Sequence, residues 1–115
     1  MLAIISPSKT QDFSECNIEK FSQTRQQESS NELISILKNQ SQSQISKLMS
    51  ISEKLSALNF ERFQKFKIPF TLENAKQAIL AFKGDVYNGI DAPSLSTEDL
   101  NFAQDKVRML SGLYG

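Results

Sequence analysis

The chain has 115 residues and a mass of 13.0 kDa, enough for one small domain with a core of its own and too little for two independent ones. Apolar residues make up 39% and charged residues 23%, with eight phenylalanines, which excludes a disordered or largely membrane-embedded chain and predicts a globular one. Thirteen Lys/Arg balance thirteen Asp/Glu, but unevenly: from Lys38 to Lys83 eight basic residues face three acidic ones, so the middle is basic and both ends are acidic.

Taken in chain order, Leu2 to Ile5 is a short isoleucine-rich run closed by Ser6-Pro7, the pattern of a buried central strand ending at a loop. The same run is too short for a signal peptide or a membrane helix and has no basic residue before it, so cytoplasmic residence is expected. Residues 11–30 are rich in Ser, Gln, Glu and Asn, with Phe13, Ile18 and Phe21 as the apolar anchors, and read as a long, mobile surface loop. It carries Cys16, the one cysteine, which has no disulfide partner in the chain and is either an inert thiol or a thiolate sensor.

Ser29 with Glu32 predicts a capping box opening a helix to about Lys38, with Leu33, Ile34 and Leu37 at helical spacing. Ile45, Leu48 and Met49 mark a short second helix. Ser50 with Glu53 predicts the cap of a third, whose buried stripe is Ile51, Leu55, Leu58, Phe63 and Phe66. Thr71 predicts a further short helix to about Gln77, and Ala78 to Phe82 reads as a buried strand. Lys83-Gly84-Asp85 follows as a loop, Asn88-Gly89 and Ala92-Pro93 as turns. Ser96 with Asp99 caps a last helix, and Val107 to Leu110 reads as a strand. The expected class is α/β, a mixed sheet with several short helices.

Three polar clusters stand outside the core pattern: Ser6-Pro7-Ser8-Lys9-Thr10; Lys83-Gly84-Asp85 with Tyr87; and Arg108 with Ser111-Gly112-Leu113-Tyr114-Gly115. Two of them follow or end a predicted strand, so a sheet would gather them on one edge, where hydroxyls, lysine and backbone amides suit an oxyanion or a phosphate. The spacings G-x-x-x-x-G-K-[ST] and G-x-G-x-x-G are absent. The chain has no histidine, so no Ser-His-Asp or Cys-His system and no histidine ligand for a metal. Serine-lysine chemistry is possible in principle. No catalytic residue, cofactor or metal is expected.

The segments LAIISPSKT, LMSISEKLSALNFERF, AILAFKGDVYNGI and FAQDKVRMLSGLYG resemble, in order and over nearly the whole chain, the YaaA family of bacterial peroxide stress resistance proteins. Its motif positions fall on Ser6, Pro7, Lys9 and Thr10, on Lys83, Gly84, Asp85, Val86, Tyr87 and Gly89, and on Arg108, Leu110, Ser111, Gly112, Leu113, Tyr114 and Gly115. Members are roughly twice as long, so the resemblance implies that residues 1–115 are a single domain fragment whose partner is the missing C-terminal half of the same protein. It further implies a cytoplasmic protein made under peroxide stress, which limits free intracellular iron and protects DNA from oxidation. The family is described as DNA-binding, with an α/β fold, a basic cleft and a helix-hairpin-helix element, and without established enzymatic activity.

A helix-hairpin-helix holds backbone phosphate through hairpin amides and a nearby Lys or Arg. Here the candidate pair is Ser43 to Met49 with Ser50 to Phe66, although Met49-Ser50-Ile51 stands where a glycine is usual. The alternative places the element around LSGLYG. The expected partner is double-stranded or structured DNA, met through Lys47, Lys54, Arg62, Lys65, Lys67, Lys83 and Arg108. The basic middle is equally readable as solvated helix faces. An alternative function is a small-ligand or phosphate-binding enzyme built from the SPSKT, KGDVY and SGLYG loops. Direct iron ligation ranks last, because carboxylates alone make an unselective site.

Overall fold

Two strands at the far ends of the sequence pair with each other. In the computed structural model, which describes residues 1–115, β1 (Ala3–Ile5) runs parallel to β2 (Val107–Met109), with Ala3 opposite Val107, Ile4 opposite Arg108 and Ile5 opposite Met109. Between them lie α1 (Gln27–Lys38), α2 (Gln42–Met49), α3 (Glu53–Lys65), α4 (Ala78–Ala81), α5 (Asp85–Ile90), a 3-10 turn at Ala92–Ser94 and α6 (Thr97–Lys106). The class is α/β, with a two-stranded parallel sheet and one isolated antiparallel bridge between Gln11 and Phe82. No helix is long and apolar enough to cross a membrane.

The chain divides into two compact units. The first is Met1–Ser22 with Thr71–Gly112; the second is Gln23–Phe70 with Leu113–Gly115.

In the second unit, three helices enclose Ile34, Ile45 and Phe63, with Leu37, Met49, Phe60, Phe66 and Leu113 packed around them. α1 starts at Gln27, earlier than the expected capping box, and Gln26 at its N-cap makes no side-chain cap bond. Ser29 lies inside the helix, and the next residue, Ser30, is fully buried, its hydroxyl donating to Gln26 O at 2.9 Å and Leu113 O at 2.7 Å. α2 does have a capping box: Ser41 Oγ accepts from Gln44 N at 3.2 Å, while Gln44 Oε1 accepts from Ser41 N at 2.7 Å. α3 is capped two residues later than expected, by Ser52, whose hydroxyl accepts from Leu55 N. Ser50 instead closes α2 in the left-handed region, at φ 51°. Of the expected stripe, Phe63 is buried, Ile51, Leu55 and Phe66 are half-buried and Leu58 is exposed, while Ser56 and Asn59 are buried as well. The two polar members are satisfied, Ser56 Oγ donating to Gln42 O at 2.6 Å and Asn59 Nδ2 to Leu55 O at 2.8 Å, so their burial carries no orphaned group.

In the first unit, three expectations fail. Thr71 starts only a turn, with Ala75 N donating to Thr71 O at 2.9 Å and Asn74 Oδ1 accepting from Thr71 N. The run Ala78 to Phe82 is buried as expected at Leu80, Ala81 and Phe82, but it forms one helical turn. A five-residue apolar run fits either geometry, and periodicity cannot separate them. The N-terminal strand forms, but Ala3 and Ile4 are exposed. α6 and β2 fall where predicted, with Ser96 and Asp99 forming a full capping box.

Replacing Ile45, which is wholly buried, with alanine should lower stability by about 2–5 kcal/mol in urea unfolding, through lost transfer energy and the cavity left behind. Leu48→Ala, on the exposed side of the same helix, should stay within about 0.5 kcal/mol of the parent.

Candidate functional site

Parallel pairing makes both strands of the first unit end at the same edge, so Ser6-Pro7-Ser8 and Leu110-Ser111-Gly112 leave it side by side. Leu110 N continues the ladder by donating to Ile5 O at 3.2 Å. The second motif is stitched to the first. Tyr87, buried on α5 with its ring 5.4 Å from that of Phe82, donates its hydroxyl to Ser6 O at 2.6 Å. Lys83 N donates to Thr10 O at 3.0 Å, and Thr10 N to Ser8 Oγ at 3.1 Å. Gly84 sits between them at φ 128°, a conformation that only glycine adopts readily, and this lets the chain turn from Lys83 into α5. Lys9, Asp85 and Gly89 are exposed, and a Cβ at Gly89 would meet nothing within 4 Å.

Lys83 also has a partner that the motifs do not contain. Its Nζ lies 3.6 Å from Asp12 Oδ2, both side chains being 40% exposed. Asp12 Oδ1 accepts from Ser14 N at 2.8 Å. The backbone and side-chain hydrogen bonds from Ser14, helped by the charges of Lys76 and Lys83, hold the Asp12 carboxyl down at about 2. Lys76 Nζ donates to the carbonyls of Asp12 and Ser14, and Gln77 Nε2 to those of Ile18 and Lys20. Two consecutive residues thus pin the irregular segment 12–20 from one side, and Lys20 Nζ reaches Asn101 Oδ1 of α6 at 2.7 Å. Asp12, Ser14, Cys16, Lys76, Leu80 and Lys83 contribute to the wall of a cavity of about 330 Å³. The Asp-x-Ser spacing at residues 12 to 14 is an Asx-turn signature that sequence reading passed over. Nothing in sequence marks Lys76 or Gln77.

The third motif is divided. Arg108 Nη1 turns back onto the carbonyls of Gln104 at 2.6 Å and Val107 at 2.8 Å, closing the end of α6. Ser111 and Gly112 remain with the first unit, whereas Leu113, Tyr114 and Gly115 belong to the second. There Tyr114 joins Phe66 and Phe70 in a three-ring cluster with centroids 5.5 to 6.4 Å apart. Burial raises the Tyr114 phenol above its usual range, opposed by the nearby Arg62 guanidinium. Gly115, at φ 91°, has Gln26 Cγ 2.7 Å from where a Cβ would stand, so a side chain there clashes.

The expected phosphate contacts differ in their surroundings. Lys47, Lys54 and Lys67 of the second unit are exposed. In the same unit Lys65 pairs with Glu61 one helical turn away, and Arg62 is half-buried, which lowers its pKa. Lys83 and Arg108 belong to the first unit. In the α2–α3 hairpin, Ser50 adopts the left-handed conformation for which glycine is usual. Ile51 N donates to Ser46 O at 3.2 Å and Ser50 N to Lys47 O at 3.4 Å, so the hairpin amides close α2 upon itself.

A family profile described as peroxide stress protein YaaA matches residues 1–115. The chain belongs to that family. It is also 51% identical, over 116 residues, to a UPF0246 protein of Cellvibrio japonicus (strain Ueda107), a match covering 100% of this chain and 45% of the relative. The chain therefore spans about half the length of this family relative.

Two outcomes test the first-unit geometry. Tyr87→Phe should cost about 0.5–1.5 kcal/mol in chemical unfolding by removing the bond to Ser6 O. Because the Asp12 carboxyl titrates below its unfolded value of about 3.9, its contribution to stability is complete above that pH and is lost as pH falls towards about 2. A carboxyl-detected NMR titration should find the midpoint near that value, raised part-way by Ser14→Ala and less by Lys83→Ala.

Proposed function

We propose that the chain supplies the phosphate-contacting part of a cytoplasmic, DNA-binding peroxide-stress protein that limits free intracellular iron. The observation that carries this reading is charge segregation. The second unit has seven Lys/Arg against four Glu, the first six Lys/Arg against nine Asp/Glu, so the neutral total hides a basic unit and an acidic one. Lys47, Lys54 and Lys67 are exposed and outside both ion pairs, Lys65–Glu61 and Lys83–Asp12. They are the cations most ready to meet a polyanion.

The hairpin geometry favours side-chain contact over amide contact. With the Ser50 and Ile51 amides turned inward and Leu55 N held by Ser52, a phosphate near α2 and α3 would be met by lysines. Such binding reads charge and not base sequence. It also offers a physical link to iron. Lysines that neutralise phosphates displace the cations condensed there, ferrous ion among them, which would keep iron-driven oxidation off the DNA without itself lowering the free-iron pool. The role is binding and not catalysis.

One arrangement favours the second reading, a small-ligand or phosphate site: the SPSKT and KGDVY loops are bonded to each other beside the cavity walled by Asp12, Lys76 and Lys83. The SGLYG loop does not join them as a whole, which is why DNA contact ranks first.

Fluorescence anisotropy with a short duplex at rising salt tests the first reading. Affinity should fall with log salt, and Lys47→Ala with Lys54→Ala and Lys67→Ala should shrink the slope by about 0.9 per lysine removed. Salt-independent binding, or an unchanged slope in the triple variant, overturns it.

A further inference from the structure

The cavity of the first unit is walled by opposite charges that cancel. Lys76 and Lys83 stand against Asp12 and Glu15 around a space of about 330 Å³, with Leu80 and Pro93 as its apolar side. Its frame does not depend on the pairing of those charges. Asp12 N donates to Ala81 O at 2.7 Å, Lys76 Nζ holds the carbonyls of Asp12 and Ser14, and Gln77 Nε2 holds those of Ile18 and Lys20. These bonds end on backbone, so a change of charge at the Asp12 side chain leaves them in place.

The two lysines are committed differently. Both bonds of Lys76 go to neutral carbonyls, and it makes neither of the two ion pairs. Lys83 Nζ lies 3.6 Å from Asp12 Oδ2, longer than a charge-assisted hydrogen bond, and both side chains are 40% exposed. An exposed contact of this kind is weak. Lys83 can leave it without moving its own backbone, which the bond from Lys83 N to Thr10 O fixes. Asp12 stays behind, because its Oδ1 accepts from Ser14 N at 2.8 Å.

We propose that this cavity binds the phosphate group of a small ligand between Lys76 and Lys83, with Asp12 as the resident counter-ion from which the phosphate takes Lys83. The proposal rests on the second reading above, a phosphate site beside the SPSKT and KGDVY loops, and adds its place, its two cations and a built-in competitor. A phosphate monoester suits two ammonium groups because it carries up to two charges, where a carboxylate brings only the single charge that Asp12 already supplies. Both acids of the wall oppose such a ligand, and Asp12, the one beside Lys83, opposes it most. Near neutral pH it is a permanent anion, since the bonds from Ser14 hold its carboxyl down at about 2.

Isothermal titration of the chain at low salt, with inorganic phosphate and with glycerol phosphate, tests the site. Asp12→Asn keeps the oxygen that accepts from Ser14 N and removes the charge, so it should tighten binding of both probes at least about fivefold, the effect of one unit charge about 4 Å away in water. Lys83→Gln, whose side chain anchors no backbone, should weaken binding by a similar factor. If the parent binds either probe and Asp12→Asn binds it no more tightly, the counter-ion proposal falls while the phosphate reading stands. Absence of binding by both the parent and Asp12→Asn overturns the two together. Tightening by Asp12→Asn for a DNA duplex and for neither small probe also overturns the proposal, and assigns these lysines to the DNA backbone.

Discussion

Unit one depends on a three-residue parallel ladder that joins positions about a hundred residues apart. Closing so long a loop costs about 4 kcal/mol or more in chain entropy. The ladder returns a few hydrogen bonds at a net of about 1 kcal/mol each, which barely offsets closure. The pairing therefore needs the bonds around it. Tyr87 to Ser6, Lys83 to Thr10, and Lys76 and Gln77 to the segment that follows all connect residues 6–20 to residues 76–87. The motif residues are thus the stitching of this unit before they are anything else, and a ligand at that edge would find backbone already spoken for at Ser6 and Thr10.

Sequence periodicity resolved the elements with long, one-sided patterns and failed where a pattern was short or ambiguous. α6 and β2 fell in place because the Ser96–Asp99 box and the following valine leave little choice of register. At α3 two serines compete for the cap. Ser50 offered the better text, with Glu53 three residues on, but Ser52 won because Ser50 is needed in the left-handed turn that ends α2. Most of the expected stripe stays inside all the same, with Phe63 buried and Leu55 and Phe66 half-buried; Leu58 is the member that faces water. The burial of Ser56 and Asn59 was illegible for a different reason: only the tertiary partners, Gln42 O above all, show that these polar groups are satisfied. Among the candidate site residues, the strand-edge argument holds for SPSKT and the start of SGLYG, at the ends of β1 and β2, and fails for KGDVY, which follows a helical turn and reaches SPSKT through Tyr87 and the Lys83 amide; Asp12, Lys76 and Gln77 lay in stretches with no periodic signal.

The ion pairs bear on how firmly the basic residues are committed. Lys65–Glu61 is an exposed pair on one helix, and Lys83–Asp12 is longer and half in water. Such pairs contribute about 0–1 kcal/mol, so a phosphate can recruit either lysine at little cost. Arg62 is different. Half-buried beside Tyr114, within the unit that holds the Phe66 and Phe70 rings, it is tied to the packing. A DNA surface on the second unit would accordingly combine exposed lysines with a half-buried arginine, and phosphate contacts of that kind carry no base readout.

The glycines separate what these 115 residues explain from what they leave open. Gly84 and Gly115 have local causes, a positive φ in both and a clash with Gln26 in the second. Gly89 and Gly112, on motif positions of the same standing, have ordinary backbone and nothing within 4 Å of a Cβ. Nothing in the packing or the backbone of these residues requires glycine at either position, so a side chain there would be accommodated.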